Sequence, residues 1–99
     1  MAKFDVYARP NGAGYLLDCQ ADLLSDLSTR FVIPLLSLDE APSPAARLNP
    51  VFELGDGRYV MATQFAAAIF VRELGAPVGS LISEETRIGN AIDMLLSGF

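Results

Sequence analysis

One run, FVIPLLSL at positions 31–38, limits the fold of this chain more than any other. A nearly continuous apolar run of this length reads as a strand buried on both faces. Pro34 lies inside it. Proline donates no ladder hydrogen bond, so this part of the strand is expected at an edge or a bulge.

The segments around this run supply partners for it. KFDVYAR (3–9) alternates Phe4, Val6 and Ala8 against Lys3, Asp5, Tyr7 and Arg9, the period-2 pattern of a half-buried strand. PNGAG (10–14) is rich in turn formers, and YLLDCQ (15–20) follows as a second strand, so the two read as an antiparallel hairpin. ADLLSDLSTR (21–30) has helical leucine spacing, but its Ser and Asp residues favour turns. It reads as a connector with one exposed or interfacial turn. DEAPSPAARLNP (39–50) is a loop. VFEL (51–54) and RYVMATQF (58–65) flank Gly55-Asp56-Gly57, the clearest hairpin signal in the chain. A short strand is expected through Ile69, Phe70 and Val71, and GAPVGS (75–80) reads as a further loop.

The one strong helical pattern comes last. Ser83 is the expected N-cap, with Glu84 and Glu85 in the first turn, where acids favour the helix dipole. Ile88, Ala91, Ile92, Leu95 and Phe99 fall on one face. Gly89 weakens the middle of the helix by about 1 kcal/mol relative to Ala, and close packing against a strand is its expected use. The architecture is a β-rich α+β domain covering 1–99. It is a strongly bent antiparallel sheet or partly open barrel with one C-terminal α-helix.

Composition narrows the chemistry. The 99 residues hold no histidine, which removes the commonest general base, the usual triads and most catalytic zinc sites. The single cysteine, Cys19, can form no internal disulfide and reads as a buried inert thiol. No phosphate-binding glycine loop has the required spacing. The acid pairs Asp39-Glu40 and Glu84-Glu85 read as a loop and a helix start. Neither a cofactor, a metal nor an enzymatic activity is implied. The net charge of −5 and seven scattered basic residues make direct nucleic-acid binding unfavourable. No signal segment and no long apolar run is evident, so a cytoplasmic protein without membrane association is expected. The apolar share, 52%, is high for so short a chain, and reads either as a dense core or as a buried homo-oligomer interface.

FDVYA, LLDCQADLL, TRFVIPL, LNPVFELGD, YVMAT and the final NAIDMLLSGF occur together, in order, over nearly the whole chain. Jointly they resemble the CcdB family of bacterial toxins. The resemblance implies a small SH3-like, CcdB-like antiparallel β-barrel with a long C-terminal helix, assembled as a homodimer. It implies the toxin of a type II toxin–antitoxin module, a topoisomerase poison that binds the A subunit of DNA gyrase and traps the gyrase–DNA cleavage complex. A CcdA-like antitoxin would neutralise it through a disordered tail and help repress the shared operon. A non-poisoning antitoxin-binding module and a MazF-type endoribonuclease toxin are the alternatives.

The resemblance also places the gyrase-binding element at the helix tip, on Ser97, Gly98 and Phe99. Gly98 matches the family pattern, and Phe99 keeps an apolar side chain. Ser97 stands where the family often has tryptophan, and loss of such an aromatic costs a binding surface ~2 kcal/mol or more. Leu23, Leu24 and Asp93 match further gyrase-facing positions. From the residues alone, Leu23 and Leu24 also read as core, Asp93 as a solvated helix face, and Phe99 as the last core residue of the stripe.

Overall fold

The computed structural model describes residues 2–10, 12–41, 43–55 and 57–98. Among the described residues, seven strands precede one α-helix: β1 (Asp5–Ala8), β2 (Tyr15–Asp18), β3 (Thr29–Ser37), β4 (Val51–Leu54), β5 (Gly57–Met61), β6 (Ala67–Phe70), β7 (Gly79–Ser80) and α1 (Glu85–Ser97). They form one antiparallel, nearly closed barrel sheet in the order β4-β5-β3-β2-β1-β7, with β6 also paired to β3. Its two path ends approach one another: Leu54 and Gly55 share a cleft of about 210 Å³ with Val78 and Gly79. The segment GAPVGS, read as a loop from sequence, therefore contributes a short strand, β7, that pairs Ser80 with Asp5 and Gly79 with Val6.

The strand β3 is the centre of this sheet, and most of its residues are buried on both faces, as its apolar run requires. Pro34 sits neither at the edge of the sheet nor in a bulge. The Cys19 N–H donates to Phe31 O at 2.9 Å, so pairs alternate from there and the Leu16–Pro34 pair is a non-hydrogen-bonded one. The missing N–H thus faces away from β2. On that far side the partner of β3 changes: Leu35–Ser37 pair with β5, whereas Thr29–Val32 pair with β6. Pro34 lies at the handover, where only its carbonyl is used, accepting from Ala62 N–H at 2.9 Å. An edge-like environment exists inside a central strand.

The first hairpin also departs from the half-buried pattern. Tyr7, expected outward, is fully buried, and Ala8, expected inward, is exposed. Register explains it, because Tyr7 lies opposite Leu16, on the face of the sheet that also carries Asp18, Arg30 and Val32. All four of those residues are buried. The opposite face builds the main core from Phe4, Val6, Leu17, Ile33, Leu35, Phe52 and Met61, closed by Ile88 and Ala91 of the helix. Phe4 adopts a left-handed backbone (φ 71°), held by its N–H to Asp18 O at 2.6 Å and by Leu81 N–H to its own carbonyl at 2.8 Å. Its strained conformation joins β2 to the turn that launches the helix.

The helix begins at Glu85, after a 3₁₀ turn over Ile82–Glu84, and no side chain caps it. Ser83, the expected N-cap, lies within that preceding turn. Ile88 and Ala91 are fully buried and Ile92 half-buried, but Leu95 is 43% exposed, so the stripe fades before the tip. Phe99, its expected last member, and Asp56 of the β4–β5 turn lie outside the described residues. Gly89 packs against nothing: a Cβ built there has no neighbour within 4 Å. The expected strand contact is absent. Gly14 is the contrasting case, with φ 94° and a Cβ position 2.5 Å from Leu35 O. Gly89→Ala should therefore raise stability by about 1 kcal/mol in urea unfolding. In the same measurement Gly14→Ala should lower the midpoint, since strand β3 would have to move.

Candidate protein-interaction site

The residues singled out from sequence fall at two places. Leu23 and Leu24 occupy a 3₁₀ turn, Asp22–Leu24, and both are exposed, Leu23 at 93%. Their reading as core residues is thereby excluded. Ser97 and Gly98 form the exposed end of α1, and Asp93 lies on its solvated face. Phe99 lies outside the described residues. The helix is seated by Ile88 and Ala91 in the core and packs beside the Thr63–Phe65 turn. No hydrogen bond or ion pair among the described residues joins the two places.

The helix end is built by Gly98. Its backbone is left-handed (φ 80°), and its N–H returns to Met94 O at 2.9 Å. Glycine adopts this cap without steric cost. The other carbonyls of the last turn face outward with the negative end of the helix dipole. Met94 takes the cap bond, and Leu96, one turn from the tip, is 75% exposed. The end therefore offers an acceptor-rich, apolar-flanked surface, suited to a partner that brings hydrogen-bond donors or a cation.

The leucine turn is held from below by a buried polar network. Arg30 and Asp18 are both fully buried. Arg30 Nε donates to Asp18 Oδ2 at 2.9 Å, and Nη2 lies 2.7 Å from the same oxygen. Asp18 Oδ1 accepts the Gln20 N–H at 3.0 Å. The Gln20 side chain then spans two elements: Oε1 accepts from Phe31 N–H and Nε2 donates to Leu24 O, each at 3.0 Å. The Lys3 N–H adds a bond to Asp22 Oδ1 at 2.7 Å. Two of these bonds reach the turn itself, from Gln20 to Leu24 and from Lys3 to Asp22, and the others join Gln20 to β2 and β3. Sequence reasoning passed over Asp18, Gln20 and Arg30, because a lone Asp or Arg among strand residues reads as solvated. An acid at the last position of β2 and a base at the second position of the next strand, β3, were the available signal.

Nucleophilic chemistry is suppressed here. Burial, followed by the negative charge of Asp18, pushes the Cys19 thiol from 9.0 up to about 12. Burial also raises Tyr7, reinforced by Asp5 and Asp18. Among the described residues no cluster of His, Cys, Asp and Glu could hold a metal ion, and no helix is long and apolar enough to cross a membrane.

Two outcomes test this network. Asp18→Ala leaves Arg30 buried without its partner and should cost about 3–5 kcal/mol in urea unfolding, whereas pairing Asp18→Leu with Arg30→Met should recover most of that loss. Cys19 in the native protein should react with a thiol reagent at pH 8 at least about a hundredfold more slowly than after unfolding. The sign for stability follows from the same shift. The folded state favours the neutral thiol, so its contribution is complete below pH 9 and is lost progressively as the pH rises toward about 12.

A family model described as CcdB protein matches residues 3–98. Among solved structures the chain is similar to an "Endoribonuclease in complex with its cognate antitoxin from Mycobacterial species". The match has 17% identity and a TM-score of 0.76, over 97% of this chain and 94% of that one. At that identity the likeness is one of fold.

Proposed function

This chain belongs to the CcdB protein family, whose members are toxins of toxin–antitoxin systems, and we propose that it acts as a cytoplasmic homodimer that binds the A subunit of DNA gyrase and traps the gyrase–DNA cleavage complex. The observation that carries this reading is the exposed helix end. Ile88 and Ala91 anchor the helix in the core, while Ser97 and Gly98 project from it in a defined cap. Such a tip is a rigid probe that loses little conformational entropy on docking. Phe99 is the apolar anchor of this proposal, and Leu23, Leu24 and Asp93 complete the gyrase-binding surface. Small Ser97 leaves room at the tip where the family often carries an aromatic, so affinity rests more heavily on Phe99 and the two leucines.

A net charge of −5 suits a target that is protein rather than DNA. The homodimer is supported by apolar surface that a lone chain leaves uncovered beyond the two leucines of the turn: Leu27, Phe65, Phe70, Leu95 and Leu96 are all between 43% and 75% exposed. A two-fold toxin with its tips side by side would match the two-fold symmetry of gyrase A. A CcdA-like antitoxin, through its disordered segment, is the proposed neutralising partner and co-repressor of the operon.

RNA cleavage is the second reading, favoured by the likeness of fold to a chain named an endoribonuclease. Expression in gyrase-sensitive cells separates the two. Growth should arrest with double-strand breaks, and removal of residues 97–99 should abolish toxicity while the purified protein stays a folded dimer by sedimentation. Equal toxicity of the truncated chain, or cleavage of RNA by the purified protein, would overturn the gyrase reading.

A further inference from the structure

Away from the helix tip, the chain places cationic side chains around a second cleft, between the loop before β4 and the middle of α1. Ala46, Arg47, Asn49, Pro50, Arg87 and Asn90 line a cavity of about 330 Å³ that contains no acidic residue. Through Arg87 it adjoins another cavity, lined by Arg58 with Glu53 and Glu84. Three of the seven basic residues of an acidic chain thus line two adjoining cavities, two of them the acid-free one.

The first cavity is rigidly walled. Arg47 has a left-handed backbone (φ 68°), unusual for a residue with a Cβ. The flanking loop fixes it there. The Asn49 side chain donates to Met61 O at 3.0 Å and to Gln64 Oε1 at 2.7 Å, and accepts from Ala45 N–H at 3.0 Å. Thr63 Oγ1 donates to Leu48 O. The side chain that this loop carries at the cavity wall is exposed, and its guanidinium makes no hydrogen bond or ion pair among the described residues. Arg87 is also set in place: it lies 4.7 Å over the Phe52 ring, donates to Val51 O at 3.1 Å, and contacts Glu84 at 3.3 Å while remaining half exposed.

We propose that this groove binds the carboxylate side chains of an extended acidic peptide, with Arg47 and Arg87 as the two forks. One guanidinium held in place, a second without a partner, and a first cavity lined by no acid fit a carboxylate, which a guanidinium fork can hold with two hydrogen bonds. The backbone beside it fits an extended chain. β4 ends the sheet path, and Met61 N–H donates to Pro50 O, so the backbone groups of Val51 and Glu53 point away from β5. Val51 O takes Arg87, and Glu53 offers its N–H and C=O to a strand laid along the edge.

The test is fluorescence anisotropy of an end-blocked, fluorescein-labelled hexaglutamate peptide titrated with the full chain at low salt. Hexaglutamine serves as the uncharged peptide and inorganic phosphate as competitor. Saturable binding of hexaglutamate alone is expected, weakened about tenfold or more by Arg47→Gln and by Arg87→Gln. Arg72→Gln, on a different surface, should leave it unchanged. Absence of saturable binding, equal weakening by Arg72→Gln, or displacement by phosphate at the peptide's own concentration would each overturn the proposal. Thermal melts accompany every variant. If Arg87→Gln fails to fold, the exposed Arg47→Gln decides the result.

Discussion

A single ion pair sealed from solvent organises the first half of the molecule. Asp18 and Arg30 sit on adjacent strands, both fully buried, with the guanidinium wrapped on one carboxylate oxygen at 2.7–2.9 Å. Burying two charges costs several kcal/mol per ion before their attraction is counted, so this pair is a weak source of net stability. Its value is positional. The second oxygen of Asp18 sets Gln20, and Gln20 in turn holds both the start of β3 and the carbonyl of Leu24. A pair of apolar residues could fill the same volume, but could not specify the angle at which the leucine turn leaves the barrel.

The helix divides its faces among three tasks. Ile88 and Ala91 close the core, Arg87 and Asn90 line the cationic groove, and Asp93 with the Gly98 cap faces outward. The tip and the groove are consequently carried by one rod, anchored in the core and packed beside the Thr63–Phe65 turn. That same turn supplies Thr63 and Gln64 to the loop holding Arg47. Two proposed binding surfaces thus share one support without sharing a residue.

Much of this was legible in the sequence where periodicity and turn chemistry agree. The hairpins, the apolar centre of β3, the single helix and the glycine at its end all follow from local patterns. Patterns of one strand do not report what covers its other face, so alternation alone points Tyr7 outward, whereas it is fully buried. The Ser83 cap failed because a 3₁₀ turn absorbs that residue before the helix starts. Mid-helix spacing suggests a packing role for Gly89, yet the space beside it is open. The exposed leucines were ambiguous by spacing alone, and only the three-dimensional arrangement separated surface from core. The buried Asp18–Arg30 pair was invisible for a related reason: each charge is ordinary until the register of β2 and β3 sets them together.

The sharing of β3 between two partner strands has a consequence during synthesis. β1, β2 and β3 leave the ribosome first and can pair among themselves as a three-stranded meander. The far edge of β3 then stays bare until residues 57–70 emerge, with Leu35 and Leu36 waiting for β5, and Phe31 and Val32 for β6. An open apolar edge is the kind of surface along which nascent chains stick to one another. Pro34 interrupts it at its middle, so no uninterrupted row of donors and acceptors is presented to a stranger. The residue that lets two strands share one partner in the finished barrel also shields the unfinished one.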